Sequence, residues 1–129
     1  MEYDIKKEYC KIIQNKINMN EFDTALDNAE KLIAHSPEYS EGYYYRGLCH
    51  FALGNLEESI NNYEKCIELD HEFAKAYYNL GVTTYYLNKH KSALNYIEYA
   101  NKLFLKENNK EAHAKCLDSI EYIKEEHGL

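Results

Sequence analysis

The chain has 129 residues, with 15 basic against 22 acidic side chains and a formal charge of −7, which excludes a broad electrostatic grip on nucleic acid or an anionic membrane. Hydrophobic residues at 45% and charged residues at 29% make a globular composition with room for one domain, residues 1–129. No apolar run approaches the roughly twenty residues of a membrane span, and Met1-Glu2-Tyr3-Asp4 lacks the basic-then-apolar order of a secretory leader.

One proline and five glycines are too few for an all-β chain, which needs frequent turn signals, so helix is expected throughout. From the N-terminus, a first unit over 6–39 keeps Tyr9, Ala25, Ala29 and Leu32 at helical spacing and closes on Pro37. A second over 40–73 holds Tyr43, Gly47 and the run Cys49–Leu53 in one helix. Leu56, Ser59, Ile60, Tyr63, Cys66, Ile67 and Leu69 then follow three-and-four spacing in another. A third unit, 74–107, repeats the second at an offset of 34 residues: Tyr77, Tyr78, Gly81, Tyr85, Leu87 and Leu94 match Tyr43, Tyr44, Gly47, Phe51, Leu53 and Ile60. Gly54, matched by Asn20 and Asn88, marks the bend in each hairpin, since these residues tolerate the left-handed conformation that ends a helix. Residues 110–126 then read as a cap. Ala112, Cys116, Leu117, Ile120 and Ile123 form its apolar stripe, while Glu111, Lys115, Asp118, Glu121 and Glu125 face water; Asn108-Asn109 precedes it and Gly128 ends it.

A 34-residue period with Tyr77-Tyr78-Asn79-Leu80-Gly81, then Tyr85, then Ala93 and Ala100 resembles the tetratricopeptide repeat. The resemblance implies an all-α, right-handed α-solenoid of three helix-turn-helix repeats with a seventh, capping helix. Three departures carry physical content. Ile13 stands where Gly47 and Gly81 allow close approach, so loose packing is expected in the first hairpin. His71 and Leu105 replace the closing proline, so the second helices of the later units are expected to run on. Arg46 replaces the usual leucine and should turn towards solvent or a carboxylate.

Nothing points to catalysis. There is no nucleophile elbow, phosphate-binding glycine loop or H-E-x-x-H, and the six histidines never stand three or four apart. Cys10, Cys49, Cys66 and Cys116 lack the paired spacing of a zinc site and read as small buried residues of a reducing, cytoplasmic chain; no metal or cofactor is expected.

The resemblance places function in a concave groove lined by the first helix of each repeat, a non-enzymatic adaptor surface for a peptide segment of a partner protein. By register the lining is Lys7, Lys11 and Gln14, then Tyr44, Tyr45, Leu48 and Phe51, then Lys75, Tyr78, Asn79, Val82, Tyr85 and Tyr86. His113 and Cys116 complete the far wall. Tyrosine suits such a surface, burying a rigid ring while its hydroxyl still finds a partner; Tyr44, Tyr45, Tyr78 and Tyr86 are expected partly exposed, and Tyr43, Tyr63 and Tyr77 packed. The lysines favour an acidic or C-terminal segment. At the places where heat-shock-tail co-chaperones carry their carboxylate clamp stand Cys10, Gln14, Tyr45, Lys75 and Asn79, and only Lys75 agrees. The rival readings are a self-associating module, a homodimer through groove or apolar end, and a secretion-type chaperone.

Overall fold

The computed structural model describes residues 3–129, and these form seven helices joined by short turns. They are α1 (Ile5–Asn18), α2 (Phe22–His35), α3 (Ser40–Ala52), α4 (Leu56–Leu69), α5 (Ala74–Tyr86), α6 (His90–Lys106) and α7 (Lys110–His127). Among the described residues there is no strand. The chain divides into two compact units, Met1–Leu69 and Asp70–Leu129.

The turns follow the expected chemistry. Asn20, Gly54 and Asn88 all sit at positive φ (59°, 83° and 63°), as does Asn108 at 59° before the cap; only glycine and asparagine reach that region at small cost. Asp4 caps α1, its Oδ1 accepting from the backbone N–H groups of Lys6 and Lys7, and Asn109 Oδ1 does the same for Ala112 at the start of α7. Gly128 closes α7 in the left-handed conformation.

In the first unit Ile13, Ala25, Ala29, Leu32, Tyr45 and Cys49 form one buried cluster. Fully burying one such large aliphatic side chain contributes about 1.5–3 kcal/mol. Ile13 is wholly buried, so the loose first hairpin expected from its size is not found. The reason lies across the hairpin. A Cβ at Gly47 would meet Tyr63 at 2.6 Å, and one at Gly81 would meet Ile97 at the same distance. One repeat earlier, the places of Gly47 and Tyr63 hold Ile13 and Ala29. The large residue has crossed to the first helix and the small one to the second, so the gap is filled from the other side.

The glycine also brings α3 close enough for Ser59 Oγ to donate to the Gly47 carbonyl at 2.9 Å. Arg46, half-exposed, meets an amide and not a carboxylate: its Nε donates to Asn62 Oδ1 at 2.6 Å, and its guanidinium lies 5.5 Å from the centre of the Tyr43 ring. The neutral amide is held for this role because its Nδ2 donates to the Glu58 carbonyl.

The second unit buries Ala74, Leu94, Ile97, Ala100, Leu103, Phe104, Cys116 and Ile123 together, with Ala112 and Ile120 packed against them. The cap is thus seated as expected, except for Leu117, which stays 47% exposed. Without a proline, α6 runs to Lys106, whereas α4 stops at Leu69 in register with α2. Asp70 supplies the missing stop: its Oδ1 accepts from the Glu72 N–H and its carbonyl from the Phe73 N–H.

The four cysteines are free thiols, three of them buried and Cys10 half-buried. Burial pushes the Cys49 and Cys116 thiols up to about 11, and burial raises Cys10 as well, against the effect of its hydrogen bond with Tyr39. Iodoacetamide on the native chain should therefore add slowly and only once, at Cys10. Peptide mapping checks this, and rapid labelling of Cys49 or Cys116 would contradict the packing. Among the described residues no helix is long and apolar enough to cross a membrane, and no three or more His, Cys, Asp or Glu side chains are grouped to hold a metal ion.

Candidate functional site

The first helices of the hairpins carry the candidate residues, and each unit presents its own share. In the first unit Lys7, Lys11 and Gln14 are exposed on one face of α1. Gln14 Nε2 donates to the Tyr45 hydroxyl at 2.6 Å. That bond ties α1 to α3, and Tyr45 is only 8% exposed, with burial raising its phenol above the ordinary range. Tyr45 is therefore a core residue that braces the face, not the exposed ring expected from register. Tyr44 is half-buried, its ring centre 5.4 Å from that of Tyr45 and 6.2 Å from that of Tyr63. Leu48 and Phe51 are also half-buried on α3. Tyr43 and Tyr63 are buried, as a packing role requires.

In the second unit Lys75 lies in the first turn of α5 and is exposed. Tyr78, half-buried, shares a hydrogen bond of 3.0 Å with Ser119 of α7, and the Lys115 ammonium stands 5.0 Å from its ring centre. Asn79 turns its amide back onto the Lys75 carbonyl at 2.9 Å. Val82 and Tyr85 are half-buried and Tyr86 is 61% exposed. Tyr77 packs against Tyr99 with ring centres 4.6 Å apart.

Beside α5, the cap contributes residues that register did not bring forward. A cavity of about 280 Å³ is lined by Val82, Tyr85, Tyr86 and Ile97 together with Asp118, Ser119, Tyr122 and Ile123. Residues 118 and 119 stand four and three positions before 122, so one helical face brings all three to the same side. That spacing was the available signal, but Asp118 on an amphipathic cap reads first as a solvated carboxylate. The expected far wall is different: Cys116 is wholly buried in the core, and His113 Nδ1 is hydrogen-bonded to Asn101 Oδ1. Where α7 ends, His127 stacks on His90 with ring centres 3.6 Å apart and planes within 11°. His127 Nε2 lies 3.0 Å from the Tyr85 hydroxyl. Burial, followed by Tyr122 and Glu126, raises the Tyr85 phenol.

These surfaces hold rings, amides and ammonium groups on rigid helices. They are suited to grip a polypeptide, with apolar area from the tyrosines and direction from the charges.

Comparison with known proteins bears on the same elements. Residues 49–88 match the family model of the tetratricopeptide repeat. No curated protein matches the chain by sequence. Among solved structures, the TPR2B domain of yeast Sti1, in a complex with pHsp70, superposes with a TM-score of 0.88 at 20% identity, covering 96% of this chain and 100% of that one. The type III secretion chaperone SycD of Yersinia enterocolitica, in complex with a peptide of the translocator YopD, gives a TM-score of 0.86 at 17% identity and covers 97% of this chain and 96% of that one. SycD in an alternative dimer gives 0.90 at 17% identity, with 99% and 98% covered. At such identities the likeness establishes the fold.

Proposed function

Because the chain is built of tetratricopeptide repeats, we propose that it is a non-enzymatic interaction module that binds a peptide segment of a partner protein along the first helices of its hairpins. The observation that carries this reading is the α5 face. Lys75, Tyr78, Val82, Tyr85 and Tyr86 recur at helical spacing and stay exposed or half-buried although the core behind them is complete. Such a row of accessible rings is costly to leave in water and rewarding to cover. The matched Sti1 and SycD structures hold pHsp70 and a YopD peptide, which supports the same use here.

Lys7, Lys11 and Lys75 stand in no ion pair among the described residues, and they would steer an acidic stretch of the partner. Free thiols throughout the chain suit a reducing cytoplasm. The two units together form a single domain on this reading, supported by the match to the TPR2B domain, which covers 96% of this chain.

The test is affinity capture from the source cell, followed by binding measurements on the captured partner. A Lys75→Ala/Tyr78→Ala double variant should bind it about tenfold or more weakly, roughly 1.4 kcal/mol, compared with a Tyr78→Phe control that keeps the ring Tyr78 packs on the core. Unchanged affinity would reject the α5 face. A strictly monomeric chain in sedimentation at several concentrations would reject self-association, the rival use of these surfaces.

A further inference from the structure

The cavity between α5 and α7 shares Val82, Tyr85 and Tyr86 with the lysine-bearing face, but its one charged lining residue is an acid contributed by α7. Its rim holds three tyrosine rings set at steep angles: Tyr85 and Tyr86 have centres 6.1 Å apart with planes at 81°, and Tyr85 and Tyr122 have centres 6.3 Å apart with planes at 59°. The exposed pair, Tyr86 at 61% and Tyr122 at 55%, keeps the mouth open to solvent. One charged side chain lines it, Asp118, and that carboxylate is in no ion pair among the described residues.

Each ring offers a negative π face, and the carboxylate adds a full negative charge to the same hollow. A cation entering it would meet both at once. An anionic or purely aliphatic occupant would leave Asp118 facing repulsion or desolvation without recompense. Lys115 is already placed over the Tyr78 ring, the His90 and His127 rings lie beside Tyr85, and Glu126 adds negative potential at Tyr85.

We infer that this cavity is a subsite for a cationic side chain, an arginine or lysine of the partner segment, held by the Tyr85, Tyr86 and Tyr122 rings and by Asp118. The inference rests on the peptide-binding reading and refines it. The partner carries a basic residue as well as whatever acidic residues the lysines attract.

The test needs no partner. N-acetyl-arginine amide is titrated into the 129-residue chain while backbone amide shifts are followed by NMR, with the citrulline amide as the neutral isostere. Saturable shifts confined to residues 82–86 and 118–123 are expected for arginine and absent for citrulline. Asp118→Asn and Tyr122→Leu should each weaken the arginine about threefold to fivefold, while Tyr122→Phe retains it. Both positions are exposed, so loss of the fold is not expected, and an unchanged amide spectrum elsewhere verifies it. Equal shifts from citrulline, indifference to Asp118→Asn, or no saturation would overturn the assignment. Failed capture beside an intact arginine site overturns the groove reading alone. Intact capture beside an absent arginine site overturns this inference alone.

Discussion

Replacing Gly81 with valine should lower folding stability by about 3 kcal/mol, the upper range for forcing extra carbon into a filled core. The new Cβ would lie 2.6 Å from Ile97 Cγ1 and 3.1 Å from the Ala93 carbonyl oxygen. The first obstacle is a buried side chain, and the second is backbone that cannot step aside. Helix propensity works the other way by only a few tenths of a kcal/mol, since valine is a modest helix former and glycine a poor one. Chemical denaturation of Gly81→Val, Ile97→Ala and the double variant measures the contact. Coupling of about 1–2 kcal/mol is expected, because trimming Ile97 makes room for the intruder. Full recovery is not, since the carbonyl remains. Strict additivity would show that the two helices part freely and that this close approach is not needed.

Raising the pH should unfold the chain from its cores outward. Burial holds the Cys49 and Cys116 thiols near 11, above the ordinary value of 9.0, and it also lifts the Tyr63 phenol. In each case the folded state keeps a proton that the unfolded chain gives up sooner. The stabilisation is therefore complete below about pH 9 and is lost as the pH climbs towards 11. Urea midpoints at pH 8, 9, 10 and 11 should fall steadily over that interval. A Cys49→Ala/Cys116→Ala variant, weaker at neutral pH, should show the shallower alkaline slope. Equal slopes would mean that neither thiol is shielded as the packing requires.

The architecture was legible where backbone chemistry is local. Asn20, Gly54 and Asn88 announce their turns because few residues tolerate positive φ, and an offset of 34 makes each reading support the next. Depth was not legible. Register puts Tyr44 and Tyr45 on the inward side of α3, but only the Gln14 hydrogen bond and the neighbouring cluster decide that Tyr45 is buried and Tyr44 is not. Nor could spacing show that α4 would stop without a proline, because Asp70 does that work through its side chain and carbonyl. Asp118 was read as a solvated residue of the cap; its neighbours across the cavity, Tyr85 and Tyr86, are more than thirty positions earlier in the chain. Likewise Leu117, counted with the buried stripe, falls just outside the arc that α6 covers.

The exchange of bulk between Ile13 and Ala29 on one side, and Gly47 with Tyr63 or Gly81 with Ile97 on the other, bears on fidelity during folding. Near-copies of one hairpin in a single polypeptide invite helices to join the wrong mate. Here α1 set against α4 would drive Ile13 into Tyr63, and α3 set against α2 would leave Gly47 opposite Ala29 with a hole between them. The two helices of the first hairpin thus reject mates from the later ones, and a chimera that swapped only one of them instead of the pair would inherit the clash or the void.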